Sequence, residues 1–413
     1  MISVSEALKI IERETVLLGK ESVNLENSVG RVLAETVNAD MDLPPFDRSQ
    51  MDGFAVRAKD VKDAPVRLKI IGEAAAGKGF DKKLKAGEAV RIMTGARIPD
   101  GADAVQKVEL TKESDGFIEI SESVKSQQHI VKRAEEIEEG ERIFSKGEPI
   151  TTGKVAVLAS FGYAKIKVFK TPEISILATG SEIVDISEKP QKDQIRNSNS
   201  MMLKVLAEEA GANVKILSSV KDDIEILKSQ IAEAVGLESK NKNDKSQIPN
   251  PKSQILIITG GVSVGDYDFT KPVLRDLGAE FFFQKIALRP GKPTVFAKLN
   301  DTFVFGLPGN PVSSAVTFYL FVRKMILQMQ SAKNPELPEG FAVLSSKAKG
   351  AKERDSFLPA KLSTDKNAKL TVEPLRWSGS SDFVAFSKAD CLIFVPKDES
   401  CESGEIVKIF YLP

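Results

Sequence analysis

The sequence predicts a multidomain α/β protein with four parts: a central parallel-sheet domain, a β-rich domain inserted before it, an N-terminal helical region and a small C-terminal β-barrel. Three observations predict this. A chain of 413 residues is longer than one compact core usually organises, so two to four domains are expected. Residues 171–332 alternate buried apolar runs with helical stretches, the rhythm of a parallel sheet covered by helices. Residues 66–144 and the tail instead show short strands broken by Gly, Pro and Ser turns.

At the N-terminus, Ser3 and Glu6 have capping-box spacing, and Ala7, Leu8, Ile10 and Ile11 continue an amphipathic helical stripe. A second short helical stretch is expected after it. Leu43-Pro44-Pro45-Phe46 cannot be helix interior and opens the β-rich domain, read as 44–144. Residues 151–161 return to a helical pattern, so 1–43 and 145–170 are read as one helical region interrupted by the insertion. EISILATG is a buried strand, SNSMMLKVLAEEAG a helix closed by Gly211, VKILSSV a strand and DDIEILKSQIAEAVGL a helix. ILIITGG is a second buried strand before the helix TKPVLRDLG, and FVFGLPGNP leads into the helix VSSAVTFYLFVRKMIL. Residues 238–254 are polar and low in complexity, a solvated loop without an assigned function. Residues 171–332 therefore form the α/β domain, and 333–413 the barrel.

Composition excludes several function classes. Lys plus Arg equals Asp plus Glu at 58 each, which argues against a nucleic-acid binder. No apolar run approaches the ~20 residues of a membrane span. The acidic amphipathic start is unlike a signal peptide, so a cytoplasmic location is expected. The two cysteines, Cys391 and Cys401, cannot supply a disulfide scaffold or a four-ligand zinc site. His129 is the one histidine and reads as a surface residue, which removes histidine-based acid–base schemes. Chemistry is left to carboxylates, Lys, Arg, hydroxyls, backbone amides and a hard cation held by oxygen.

In parallel α/β sheets ligands bind beyond the carboxyl ends of the strands. Three such ends carry suitable loops: Thr179-Gly180-Ser181-Glu182, the run Thr259-Gly260-Gly261-Val262-Ser263-Val264-Gly265-Asp266, and Gly306-Leu307-Pro308-Gly309-Asn310-Pro311. Glycine turns let backbone N–H groups approach an oxyanion, and a following helix N-terminus adds partial positive charge. Asn310-Pro311 has N-cap and N1 chemistry. One such turn is usually mere turn geometry; three at successive strand ends point to a phosphate-bearing ligand. Glu182, Asp266, Asp268 and either Asp222 or Asp223 add acids that suit Mg²⁺ bridging to phosphate, although Asp222 and Asp223 equally read as helix caps. Lys285, Arg289 and Lys292 project from a Pro-Gly frame that forbids helix, a clamp for a multiply charged anion. PPFDRSQMDGFA, containing Ser49 and Asp52, mixes acids and a cation outside any periodic pattern. Thr94-Gly95 and Pro99-Asp100-Gly101 have turn chemistry.

Seven collinear motifs, PPFDRSQMDGFAV, RIMTGARIPDGADAVQKVE, ATGSEI, RNSNSMML, TGGVSVGDYDFTK, LRPGKPTVFA and GLPGNPVSSA, strongly resemble the molybdopterin molybdenumtransferase family, to which the C-terminal domain of gephyrin also belongs. The likeness spans nearly the whole chain. It implies a homodimer whose α/β domain binds adenylylated molybdopterin, with the cleft completed by the partner's β-rich domain. The implied reaction is Mg²⁺-dependent release of AMP as molybdate joins the dithiolene, giving molybdenum cofactor. It also implies handover from the upstream adenylyltransferase and to molybdoenzymes.

Carried across by motif, Asp52, Thr94, Glu182, Asp222, Asp268, Lys285 and Arg289 are the expected catalytic residues, with Glu182 and Asp268 arranging the metal. Expected to bind substrate are Ser49, Thr179, Gly180, Gly260, Gly261, Ser263, Gly265 and Asp266, together with Lys292, Pro308, Gly309, Asn310 and Pro311. Arg354 and Ser380 match the family's tail more loosely. Two departures stand out: Arg289 replaces a lysine common in relatives, and Ala134 and Glu136 replace the glycine and aspartate of an N-I-R-x-x-G-E-D-I type motif. Rival readings are a gephyrin-type scaffold, a tungstate-inserting version of the same enzyme, and an enzyme acting on another nucleotide conjugate. The intact acids and the PPFDRSQMDGFAV cluster favour the transferase.

Overall fold

The computed structural model describes residues 1–220, 223–237, 253–261, 269–376 and 378–413. The chain divides into two compact units, one of residues 1–34, 147–155 and 165–413, the other of 35–146 and 156–164.

The first unit is built on a six-stranded sheet in the order Asn213–Ile216, Glu173–Ala178, Ile255–Thr259, Thr302–Leu307, Val295–Leu299, Glu280–Phe283. The first four strands run parallel, Val295–Leu299 runs against them, and Glu280–Phe283 pairs antiparallel with Val295–Leu299. These strands are continuous apolar runs because both faces are covered. Ile174, Ile176, Ile255, Ile257, Phe303 and Phe305 join one core, while Leu177, Leu256, Ile258 and Val304 join the other. Phe296 lies in the first core, stacked 4.7 Å from Phe305 and 5.8 Å from Phe303. Phe296→Ala should therefore cost about 3–5 kcal/mol, read as an earlier unfolding midpoint in urea.

The helix Val4–Glu14 adds Val4, Ala7 and Ile11 to the first core, and its capping box is complete. Ser3 Oγ accepts from the Glu6 amide at 3.1 Å, and the Glu6 carboxylate accepts from the Ser3 amide at 2.8 Å. The second expected helical stretch is instead the strand Lys20–Asn24 and one 3₁₀ turn, Leu25–Asn27. The residues alternate exposed and half-buried with period two, and Val23 pairs opposite Ile166 of the strand Lys165–Phe169.

The expected long helix after Pro311 forms in three continuous pieces: Pro311–Thr317, a π-helical stretch Phe318–Val322, and Arg323–Met329. The tail closes a five-stranded barrel of Glu339–Leu344, Asp355–Thr364, Leu370–Pro374, Cys391–Val395 and Ile406–Tyr411. The short strand Leu288–Arg289 adds to it in parallel, with Arg289 opposite Ser356.

The second unit holds a six-stranded sheet in the order Ala104–Lys107, Gly53–Val56, Glu88–Ile92, Val66–Ala74, Phe117–Ile120, Thr111–Ser114. Phe54, Leu68, Ile118 and Ile120 fill one face; Ala55, Val90, Ile92 and Val105 fill the other. A Cβ on Gly53 would collide with the Gln106 carbonyl, so the MDGFA glycine is fixed by strand packing. Ala134 sits at φ 61°, which explains why a glycine is at home there. Its amide still donates to Pro44 O at 3.0 Å, holding the loop in place.

Candidate functional site

The register of the parallel strands builds the site. Ala178 pairs with Thr259, and Thr259 with Leu307, so the three glycine-bearing loops leave the sheet at one level. The Thr179 amide donates to Thr259 O at 3.0 Å, and the Gly260 amide to Leu307 O at 3.2 Å. Gly260 has φ +94°, and a Cβ there would strike the Thr179 carbonyl oxygen. Any side chain would push the first two loops apart.

Above this edge opens a pocket of about 1130 Å³, large beside the ~300–1,000 Å³ of ordinary small-molecule sites. Its lining includes Thr179, Gly180, Glu182, Gly260, Gly261, Pro308, Gly309, Asn310 and Pro311, all expected there from the sequence. Glu182 is the one carboxylate among the described lining residues. No group of three His, Cys, Asp or Glu side chains among the described residues could by itself hold a metal. Asn310 takes the extended N-cap conformation with Pro311 at the first helical position, but its side chain does not cap the helix. Asn310 Nδ2 donates instead to Ser380 Oγ at 2.8 Å, and the Val312 amide donates to Ser380 O at 3.0 Å. Ser380 therefore belongs to the pocket's frame, and its neighbours Ser381 and Phe383 line the wall.

Asn199 is a site residue that sequence reasoning left without a role. Its Nδ2 donates to Thr259 Oγ1 at 3.0 Å and to Gly309 O at 2.7 Å, tying the helix Ser198–Glu209 to two of the loops. The signal was the second asparagine of RNSNSMML, one residue inside a helix that Asn197 already caps. Residues 183–196 form a second feature that local sequence pattern does not signal. The short strands Ile183–Val184 and Ile195–Arg196 pair in parallel at the pocket's rim.

Lys285, Arg289 and Lys292 do not line this pocket. The Ile286 amide donates to Lys292 O at 3.0 Å, closing the Pro-Gly loop on itself. Arg289 Nη1 donates to the carbonyls of Lys349 and Gly350 at 3.3 Å each. Pairing of Leu288 with Asp355 brings Arg354 beside the same loop. Four cations thus gather where the α/β sheet meets the barrel. Lys285, Lys292 and Arg354 have no ion pair among the described residues.

In the second unit, Asp52 and Thr94 form a pair of exposed residues. Asp52 Oδ1 accepts from the Thr94 amide at 2.7 Å and from Thr94 Oγ1 at 2.8 Å. These two bonds, the backbone one foremost, hold the Asp52 carboxyl below the usual carboxylate range. Ser49 is 2 % exposed and its hydroxyl donates to Met51 O at 2.6 Å, so it holds the turn before Asp52. Arg48 pairs with Glu136 at 3.2 Å, which gives the divergent 129–137 segment a structural contact.

Asp222, Ser263, Gly265, Asp266 and Asp268 lie outside the described residues. Asp223 caps the helix Ile224–Ala234, its carboxylate accepting from the Glu225 and Ile226 amides at 3.0 Å each. Burial pushes the Cys391 thiol up to about 12, so it offers no thiolate nucleophile. No helix among the described residues is long and apolar enough to cross a membrane.

Comparison with known proteins agrees with this architecture part by part. Residues 2–162 match the MoeA N-terminal region (domain I and II), 175–328 a probable molybdopterin binding domain, and 342–412 the MoeA C-terminal region (domain IV). The molybdopterin molybdenumtransferase of Bacillus subtilis is 37% identical over 401 residues, covering 95% of this chain and 90% of the relative. That of Staphylococcus aureus strain COL is 36% identical, covering 96% and 91%. Among solved structures, a molybdopterin biosynthesis MoeA protein from Pyrococcus horikoshii superposes with a TM-score of 0.78 at 32% identity, covering 100% of this chain and 99% of the other. A second structure from that organism gives 0.82 at 28%, with both chains fully covered. The chain belongs to the molybdopterin molybdenumtransferase family.

Proposed function

We propose that this enzyme transfers molybdenum from molybdate to the dithiolene of adenylylated molybdopterin, releasing AMP and leaving molybdenum cofactor. The observation that carries the reading is the pocket itself, where three glycine loops start at one sheet level, with Glu182 the one carboxylate among the described lining residues. Backbone amides at such strand ends receive phosphate oxygens, and the helix beginning at Pro311 adds its dipole. Asn199 keeps the loops in place without spending a charge.

The donor set fits Mg²⁺, which favours one or two carboxylates plus substrate phosphates over an all-protein cage. Glu182 would hold it, with Asp268 and Asp222 as companions carried by the resemblance. When bound, Mg²⁺ supplies charge neutralisation on the phosphoanhydride as its P–O bond breaks. Asp223 is spent as a helix cap, which favours Asp222 of that pair. Lys285, Arg289, Lys292 and Arg354 receive molybdate, a dianion whose charge such a cluster compensates. Asp52 and Thr94 complete the machinery from a partner protomer of a homodimer. A cytoplasmic location, supply by an adenylyltransferase and delivery to molybdoenzymes follow from the same reading.

Incubation with adenylylated molybdopterin, Mg²⁺ and molybdate should release AMP, followed by chromatography, and chelation of the metal should stop it. Absence of AMP release under those conditions would sink the proposal.

A further inference from the structure

Arg196 is the one cation among the described residues that line the pocket. The parallel pairing of Ile183 with Ile195 and of Val184 with Arg196 sets its position, together with the Ile195 amide donating to Glu182 O at 2.9 Å. Glu182 lies in the turn that enters this two-stranded ladder, and Arg196 stands opposite Val184, two residues further on. Both line the pocket, yet they form no ion pair with each other. Arg196 Nε donates to Glu188 O at 2.9 Å, which fixes the guanidinium while leaving Nη1 and Nη2 without an acceptor among the described residues. A carboxylate and a guanidinium that line one pocket, unpaired among the described residues, suit a ligand that brings both a metal-bound oxygen and a free anionic oxygen. A phosphate does this: one oxygen reaches a cation beside Glu182, and another takes the planar fork of Arg196. Ile186, Pro190 and Phe383 supply apolar wall against which a heterocycle can lie.

We propose that Arg196 binds the phosphate of the adenylyl group, leaving the Lys285–Arg289–Lys292–Arg354 cluster to the incoming oxyanion. This deepens the transferase reading and rests on it. Anion recognition is then divided between two sites, so each oxyanion can be lost separately.

The test uses the full-length chain carrying Arg196→Ala or Arg196→Lys. Calorimetry with AMP and Mg²⁺ should show affinity weakened about tenfold in Arg196→Ala, and less in Arg196→Lys, which keeps charge but loses the fork. Adenosine should bind wild type and both variants equally. In turnover assays the KM for adenylylated molybdopterin should rise while the KM for molybdate stays unchanged. Equal loss of AMP and adenosine binding, unchanged AMP binding, or no AMP binding by wild type up to about 1 mM overturns the assignment. The AMP–adenosine contrast is read without turnover, so it decides Arg196 separately from the transferase reading, which fails on absent AMP release.

Discussion

Glu182→Gln should lower AMP release by about a thousandfold or more, because it removes the one described carboxylate of the pocket while keeping its size. The fold should be unaffected. Glu182 is exposed, its side chain has no hydrogen bond or ion pair among the described residues, and the bond from the Ile195 amide uses its backbone oxygen. A loss of metal charge at the phosphoanhydride acts on the breaking bond, so kcat should fall more than substrate affinity. Partial recovery at high Mg²⁺ is expected, since the metal then relies on substrate phosphates alone. Wild-type turnover in Glu182→Gln, with circular dichroism unchanged, would remove the metal role from this residue.

Asp52→Asn should cost turnover about a hundredfold or more without unfolding the second unit. The amide oxygen can still accept both Thr94 bonds, so the turn is retained and the negative charge alone is lost. The acid limb of the pH profile gives an independent check. Both Thr94 bonds favour the charged carboxylate, so the folded-state pKa lies below the unfolded value of ~3.9. The contribution of Asp52 is therefore fully present above that unfolded value and is lost as pH falls through the depressed one. Thr94→Val deletes one of the bonds and should move this limb upward in kcat/KM profiles. If Asp52→Asn turns over like wild type, the exposed pair has only a structural role.

Much of this site was legible in the sequence because its determinants are local. Glycine runs after ISIL and ILII, and the N-cap and N1 chemistry of Asn310-Pro311, signal loop geometry without reference to distant residues. What is long-range was not legible. The level alignment of Ala178, Thr259 and Leu307 depends on strand order, and the link from Asn310 to Ser380 joins positions seventy residues apart. Asn199 reads as helix-start composition until its two acceptors are seen. The strand at Lys20–Asn24 was misread because a helical stripe and a short half-buried strand differ little over five residues, and only the partner strand Lys165–Phe169 decides between them. Ser49 is a further case, for the motif does not show that its hydroxyl is buried and bonded to Met51 O.

Transfer of molybdenum is tested most directly by coupling product formation to an apo-molybdoenzyme. The purified chain, adenylylated molybdopterin and Mg²⁺ are combined with and without molybdate, and AMP and restored molybdoenzyme activity are measured together. Both should appear only with molybdate and in proportion to one another. Restored activity that does not depend on this chain, or AMP release at the same rate without molybdate, would contradict it.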